Sequence, residues 1–203
     1  MALFIPTYFS PISQYAAFVQ AKEIVFEMDD NFQKQSYRNR CYIFNTNGRQ
    51  ILNIPVKHPI SSERKKTKDA LLEKGTSWQD QHFRSLKTAY SNSPFFEFYV
   101  DDLAPLFEKK YTYLQDVNID TFLFVSEALQ IDSDFKKTTS YILESEEDTD
   151  FRNLASAKVH PKIVLDPYIQ MFDDKHGFIP NLSILDLLFM EGPNAISFLT
   201  KNG

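Results

Sequence analysis

Glycine is scarce in this chain, with five in 203 residues, and cysteine occurs once. There is accordingly no Gly-x-Gly-x-x-Gly fingerprint and no phosphate loop ending in Gly-Lys-Ser/Thr, the two arrangements in which bare backbone cradles phosphates. A function built on a flexible glycine-rich loop is not expected, and there is no nucleophile elbow. The lone thiol, Cys41, cannot close an internal disulfide, which points to a reducing compartment. His58, His82, His160 and His176 are scattered, with no pair three or four apart, which argues against a structural zinc site. No apolar run approaches the roughly 18 residues a membrane span needs. The opening Ala2-Leu3-Phe4-Ile5 lacks a basic flank and is cut short by Pro6 and Pro11, unlike a signal peptide. A basic excess is missing too: the net charge of -5 argues against nucleic-acid binding. The expectation is a soluble cytoplasmic protein.

Aromatic residues are plentiful. Phenylalanine (19) and tyrosine (10) dominate an aromatic share of 15%, which excludes a disordered chain and predicts a core of flat rings. The length fits one domain spanning 1–203. Residues 62–68 are basic and residues 144–150 acidic, and both read as solvated loops.

The apolar runs 2–5 and 24–28 read as buried strands. Between them Ser10 supplies an N-cap and Pro11 a first helical position for a helix to about residue 21, with Tyr15, Phe18 and Val19 at helical spacing. Strand, helix and strand make a βαβ unit with parallel strands. Asn47-Gly48, between apolar runs, predicts an antiparallel hairpin. Helices are expected from Ser77 to about Tyr90, from a short segment opened by Ser93-Pro94, and over residues 101–110 and 116–129. Residues 137–143 read as a third parallel strand and residues 166–172 as a short helix. Ser183-Ile184-Leu185-Asp186 has the form of a capping box opening a buried helix, and that role accounts for Asp186. The fold class is α/β: a small parallel sheet begun by a βαβ unit, with an added antiparallel hairpin and flanking helices.

Ligands of open α/β sheets gather beyond the carboxyl ends of the strands. Tyr8 follows the first strand, Asp29 and Asp30 follow the second, and residues 33–40 leave from that rim. Arg38 and Arg40 share one side of an extended segment and could clamp a phosphate or carboxylate, with Gln33 or Asn39 orienting it. An internal acid, Asp29 or Asp30, could equally lie between them. Those two acids could instead hold a magnesium ion, or cap a turn and pair with the arginines. His82, one turn from Trp78, could carry a proton in an indole-walled pocket, or simply hydrogen-bond a carbonyl.

Several stretches resemble the WbqC-like family of bacterial proteins: residues 6–15 with 24–30, residues 33–40, Trp78 with His82, Arg84 and Tyr90, and residues 177–189 with Gly192-Pro193. The last is the most specific. Members usually open with His-Gln-Pro, where this chain has Phe4-Ile5-Pro6, and longer members carry a Ser-Gly-rich segment where it has the acidic loop and Asp150-Phe151-Arg152-Asn153-Leu154. The chain resembles a short branch. The family is associated with gene clusters for surface polysaccharide (O-antigen) assembly. The strand-end polar groups, taken together with these family stretches, lead to the expectation of an anionic small-molecule ligand, a nucleotide or sugar phosphate, and of a transferase if the chain is an enzyme. His82 would then be the proton carrier, with Tyr8, Gln33, Arg38, Asn39, Arg40 and Trp78 at the ligand. No cofactor is named by the resemblance. The rival is a non-catalytic interaction or self-association module that has lost its active-site groups.

Overall fold

A computed structural model describes residues 1–57, 65–143, 145, 149–158 and 163–203. His58, His160 and parts of both charged runs (62–64, 144 and 146–148) lie outside the described residues.

Strand β1 (Ala2–Phe4), helix α1 (Ile12–Gln20) and strand β2 (Ile24–Phe26) form the expected βαβ unit, with β1 and β2 parallel and Leu3 opposite Val25. Every residue of both strands is buried, as continuous apolar runs in a parallel sheet require. The start of α1 differs from expectation. Pro11 is its N-cap and no side chain of that turn caps it. The amides of Ile12 and Ser13 are instead met by the Leu182 carbonyl at 3.0 Å and the Asn181 Oδ1 at 2.9 Å. Ser10 is drawn into a buried knot with Thr7, whose hydroxyl lies 2.7 Å from that of Ser10 and donates to Gln14 Oε1 at 2.8 Å.

Strands β3 (Arg40–Asn45) and β4 (Gly48–Asn53) make the predicted antiparallel hairpin. Its turn is Thr46-Asn47, neither at positive φ, followed by Gly48 at φ 98°, so glycine supplies the left-handed residue after the turn. Helix α2 (Trp78–Tyr90) buries Trp78, His82, Leu86, Ala89 and Tyr90, the face its spacing predicts. Helix α3 (Phe96–Glu108) replaces the two separate segments expected here. Phe96, Tyr99, Leu103 and Phe107 form one buried stripe, and that continuous face carries the helix through Pro105.

Helix α4 (Leu114–Leu129) places Phe122 among Phe18, Phe26 and Phe135, with ring centroids 5.3, 5.1 and 5.7 Å away, edge to face. This cluster locates the third strand. β5 (Phe135–Lys137) pairs parallel with β2, giving the order β1-β2-β5, and starts earlier than the predicted 137–143 because Phe135 docks on Phe26. Residues beyond it turn back to satisfy Glu27 instead of continuing the ladder.

The expected helix at 166–172 is absent: the chain there is without regular structure until the single turn α5 (Asp173–His176). Tyr168 and Gln170 are both buried and share hydrogen bonds with Asp186, which an extended chain permits because residues two apart point the same way. Helix α6 (Ile184–Glu191) is buried through its first six residues, as predicted, and α7 (Ala195–Lys201) closes the chain against α1. Ser183 caps α6 by accepting from the Leu185 amide at 3.3 Å. The carboxylate of Asp186 takes no part in a capping box. It accepts from the phenols of Tyr90 and Tyr168, both at 2.6 Å.

Candidate functional site

Beyond β2 stands Glu27, wholly buried. Its carboxylate accepts from the Asp29 amide (2.9 Å), the Thr138 hydroxyl (2.8 Å) and the Ile142 amide (2.9 Å). One acid therefore fixes both the turn after β2 and the chain after β5. The Arg152 guanidinium lies 3.9 Å from the same carboxylate. It is carried there by Phe151, whose amide donates to Leu3 at 2.9 Å and whose ring stacks on Phe4 at 5.0 Å. Arg152 grips Asp150 through Nε and Nη2 and donates from Nη1 to the Ile142 carbonyl at 2.6 Å. That grip holds the Asp150 carboxyl down at about 2.

Arg38 arrives from the other side. Asn118, fully buried on α4, donates to the carbonyls of Pro6 (3.1 Å) and Arg38 (2.9 Å), fastening the loop after β1 to the segment before β3. The Tyr37 amide donates to the Ala155 carbonyl at 2.9 Å, adding the 152–155 turn. With its backbone so held, the Arg38 side chain is 3% exposed and donates from Nε and Nη2 to Asp30 Oδ2. Burial pushes the Asp30 carboxyl upward while the Arg38 charge opposes it.

Between these two guanidinium groups lies a cavity of about 250 Å³ at the ends of β1 and β2, where Arg38, Arg152, Asp30, Gln33, Asn153 and Ser156 meet beside Ile5 and Tyr141. Donors outnumber apolar walls, so its chemistry suits a compact ligand rich in oxygen acceptors. Pockets for drug-sized molecules run roughly 300–1,000 Å³. This one has room for a sugar ring or a phosphate, not for a whole nucleotide sugar.

The residues predicted from sequence do not share one hollow. Arg38, Asp30 and Gln33 meet in the cavity. Asp29 turns away to Lys66 and Lys68, whose ammonium groups hold its carboxyl below the usual carboxylate range. A divalent ion between Asp29 and Asp30 would have to displace Lys66 and Lys68 from Asp29, while Arg38 leaves it only Oδ1 of Asp30. Among the described residues no three His, Cys, Asp or Glu side chains gather as a metal site. Asn39 spends its amide on Asn53 and the Ile54 carbonyl, securing the hairpin. Arg40 makes no ion pair among the described residues, and its Nε is buried without a partner.

Tyr8, Trp78 and His82 form a second, interior cluster. The Tyr8 phenol and His82 Nδ1 are 2.9 Å apart, and the indole stands edge-on to the imidazole at 5.3 Å. Burial lowers the His82 pKa to about 4, so the ring is neutral near pH 7, and its tautomer sets which of the pair donates.

Sequence reading missed Glu27, Asn153 and Ser156 and gave Arg152 no role at the site. Only Glu27 carried a signal: a carboxylate in an otherwise apolar strand is costly unless its lone pairs are met. Arg152 and its neighbours reach the rim through a parallel bridge between Asp150 and Leu3, which no local pattern reveals.

The model of the WbqC-like protein family matches residues 6–160 and does not extend to the 177–193 stretch. An uncharacterized protein of Mycobacterium tuberculosis, Rv1507c, is 26% identical over 203 residues, 87% of each chain. No solved structure matches. Among the described residues no helix is long and apolar enough to cross a membrane.

Proposed function

This chain belongs to the WbqC-like protein family, and from that premise we propose that it binds a small anionic metabolite, a sugar phosphate or the sugar end of a nucleotide sugar, in surface polysaccharide metabolism. The observation that carries this reading is the pair of guanidinium groups, Arg38 buried and Arg152 half-buried, on either side of a polar cavity at the strand ends. Gln33, Asn153 and Ser156 supply neutral hydrogen bonds that suit hydroxyl groups. If the protein is an enzyme, a transferase fits, since the cavity has the volume of a sugar but not of a sugar with its leaving group. The Tyr8–His82 hydrogen bond would have to open before His82 could exchange a proton with a ligand.

Calorimetric titration with a panel of hexose 1-phosphates and nucleotide sugars tests this. Asn153→Ala and Gln33→Ala should each weaken binding, with the double variant at least tenfold weaker, a loss of about 1.4 kcal/mol. Absence of heat across the panel, or equal affinity in the double variant, would overturn the reading.

A second reading, a non-catalytic interaction module, is favoured by the groove of about 520 Å³ between α3 and α4. There Phe98 is 73% exposed, beside Leu123 and a rim of Asp101, Asp102, Asp120 and Glu127. Light scattering combined with thermal shift separates the two: an oligomer indifferent to every metabolite favours the module, and a ligand-stabilised species favours the binder.

A further inference from the structure

Two residues before Asp30, which lines the cavity above, Met28 lines a second opening of about 400 Å³ on the same rim. Its walls come from the end of β5 (Lys137), the chain leaving α3 (Lys110, Tyr111) and the first turn of α4 (Tyr113, Gln115). Neither Lys110 nor Lys137 makes an ion pair among the described residues, whereas Lys109 and Tyr111 are both committed to Asp120. Asp116 is the one carboxylate here without an ion pair among the described residues, so the uncommitted charge is two cations against one anion. The start of α4 has no capping side chain, and the Leu114 amide is already taken by the Ala70 carbonyl.

Gln115 points independently to a ligand. The residue is 5% exposed, yet its amide nitrogen meets only the Met28 thioether, at 3.1 Å. A thioether is a weak acceptor, and a buried primary amide is normally satisfied by stronger ones. A buried amide donor met only by a thioether, beside two ammonium groups outside any ion pair among the described residues, forms a receptor for anionic oxygens. Tyr113, 42% exposed at the mouth, offers a ring face to a flat group.

We propose that this cleft takes the diphosphate of a nucleotide-linked ligand, with Lys110 and Lys137 neutralising it, Gln115 donating to it and Tyr113 meeting the base. Together with the neighbouring cavity it makes a two-part site along one rim: sugar at Arg38 and Arg152, diphosphate beyond Met28. The placement of the sugar rests on the function proposed above; the diphosphate cleft stands without it.

The test is calorimetric titration of inorganic pyrophosphate, and separately of a hexose 1-phosphate, into the full chain at low ionic strength. Pyrophosphate should bind, and Lys110→Ala with Lys137→Ala, both exposed, should weaken it at least tenfold without shifting the thermal midpoint. Gln115→Leu should weaken it at least threefold. No pyrophosphate binding, or equal binding by the double lysine variant, overturns this inference, even if hexose phosphate binds and leaves the cavity reading intact. Pyrophosphate bound through the two lysines without any hexose phosphate binding supports the cleft and sinks the cavity reading.

Discussion

Arg38 directs two of its donors, Nε and Nη2, at one oxygen of Asp30, each at 2.7 Å, with both side chains almost wholly buried. Removing one partner of such a pair strands the other charge, at a cost of about 3–5 kcal/mol. Arg38→Ala should therefore lower the unfolding free energy obtained from urea melts by that much, whatever it does to ligand binding. Replacing both by apolar residues of similar size, Arg38→Met with Asp30→Leu, should recover most of the loss. A single variant as stable as the parent would show that the pair is not needed to hold the rim.

The pH dependence of stability should come from two buried groups acting in opposite directions. His82 falls from an ordinary 6.5 to about 4, chiefly through burial, so it contributes stability above 6.5 that is lost as pH drops toward 4. Asp186 rises from 3.8 to about 6, also chiefly through burial, so it contributes stability below 3.8 that is lost as pH rises through 6. Between pH 4 and 6 the two slopes oppose. In Asp186→Asn, stability relative to the parent should fall with decreasing pH by roughly 1.4 kcal/mol per unit, and in His82→Gln it should climb. Urea melts at three pH values across that window are decisive, and parallel curves for parent and variants would refute the assignment.

Tyr168→Phe removes the hydroxyl that donates to Asp186 Oδ1 and accepts from Gln170 Nε2 at 3.1 Å. A cost of about 1–3 kcal/mol is expected for leaving buried partners unsatisfied. Gln170 also accepts the Ile179 amide at 2.8 Å, so that amide should exchange its hydrogen faster. Unchanged exchange at Ile179 would mean that the segment is held by something else.

Gly192 sits at φ 51° after α6, where a Cβ would meet the Phe95 ring at 2.5 Å. Gly192→Ala combines left-handed strain with overpacking, each worth about 1–3 kcal/mol. Thermal unfolding should show a loss toward the sum of the two. A variant within 0.5 kcal/mol of the parent, on the scale of an ordinary surface change, would show that Phe95 moves aside freely.

How much of this was legible beforehand follows from the range of the forces involved. The βαβ unit, the hairpin, the buried face of α2 and the sealing of α6 rest on apolar periodicity and turn chemistry, which act within a dozen residues. For the site, the same reach was enough to place Asp30, Gln33 and Arg38 on the strand-end rim, and too short to supply the opposite wall. Arg152 and Asn153 lie more than a hundred residues further on and arrive through the Asp150–Leu3 bridge. Composition likewise misplaced the third strand, because the docking of Phe135 on Phe26, not local propensity, sets its start.

Residue pattern alone settled the class of the fold, the aromatic make-up of its core and the end of the sheet where polar groups collect, since each follows from which side chains avoid water and at what spacing. Partnership was settled in three dimensions. Ser13, at the start of α1, finds its cap in Asn181, 168 residues away. Asp186 gives its lone pairs to two tyrosines and not to its own helix, and Tyr8 and His82 turn to each other instead of to the rim. A buried polar group must be matched by whichever partner packing brings near, and chain order does not record which one that is.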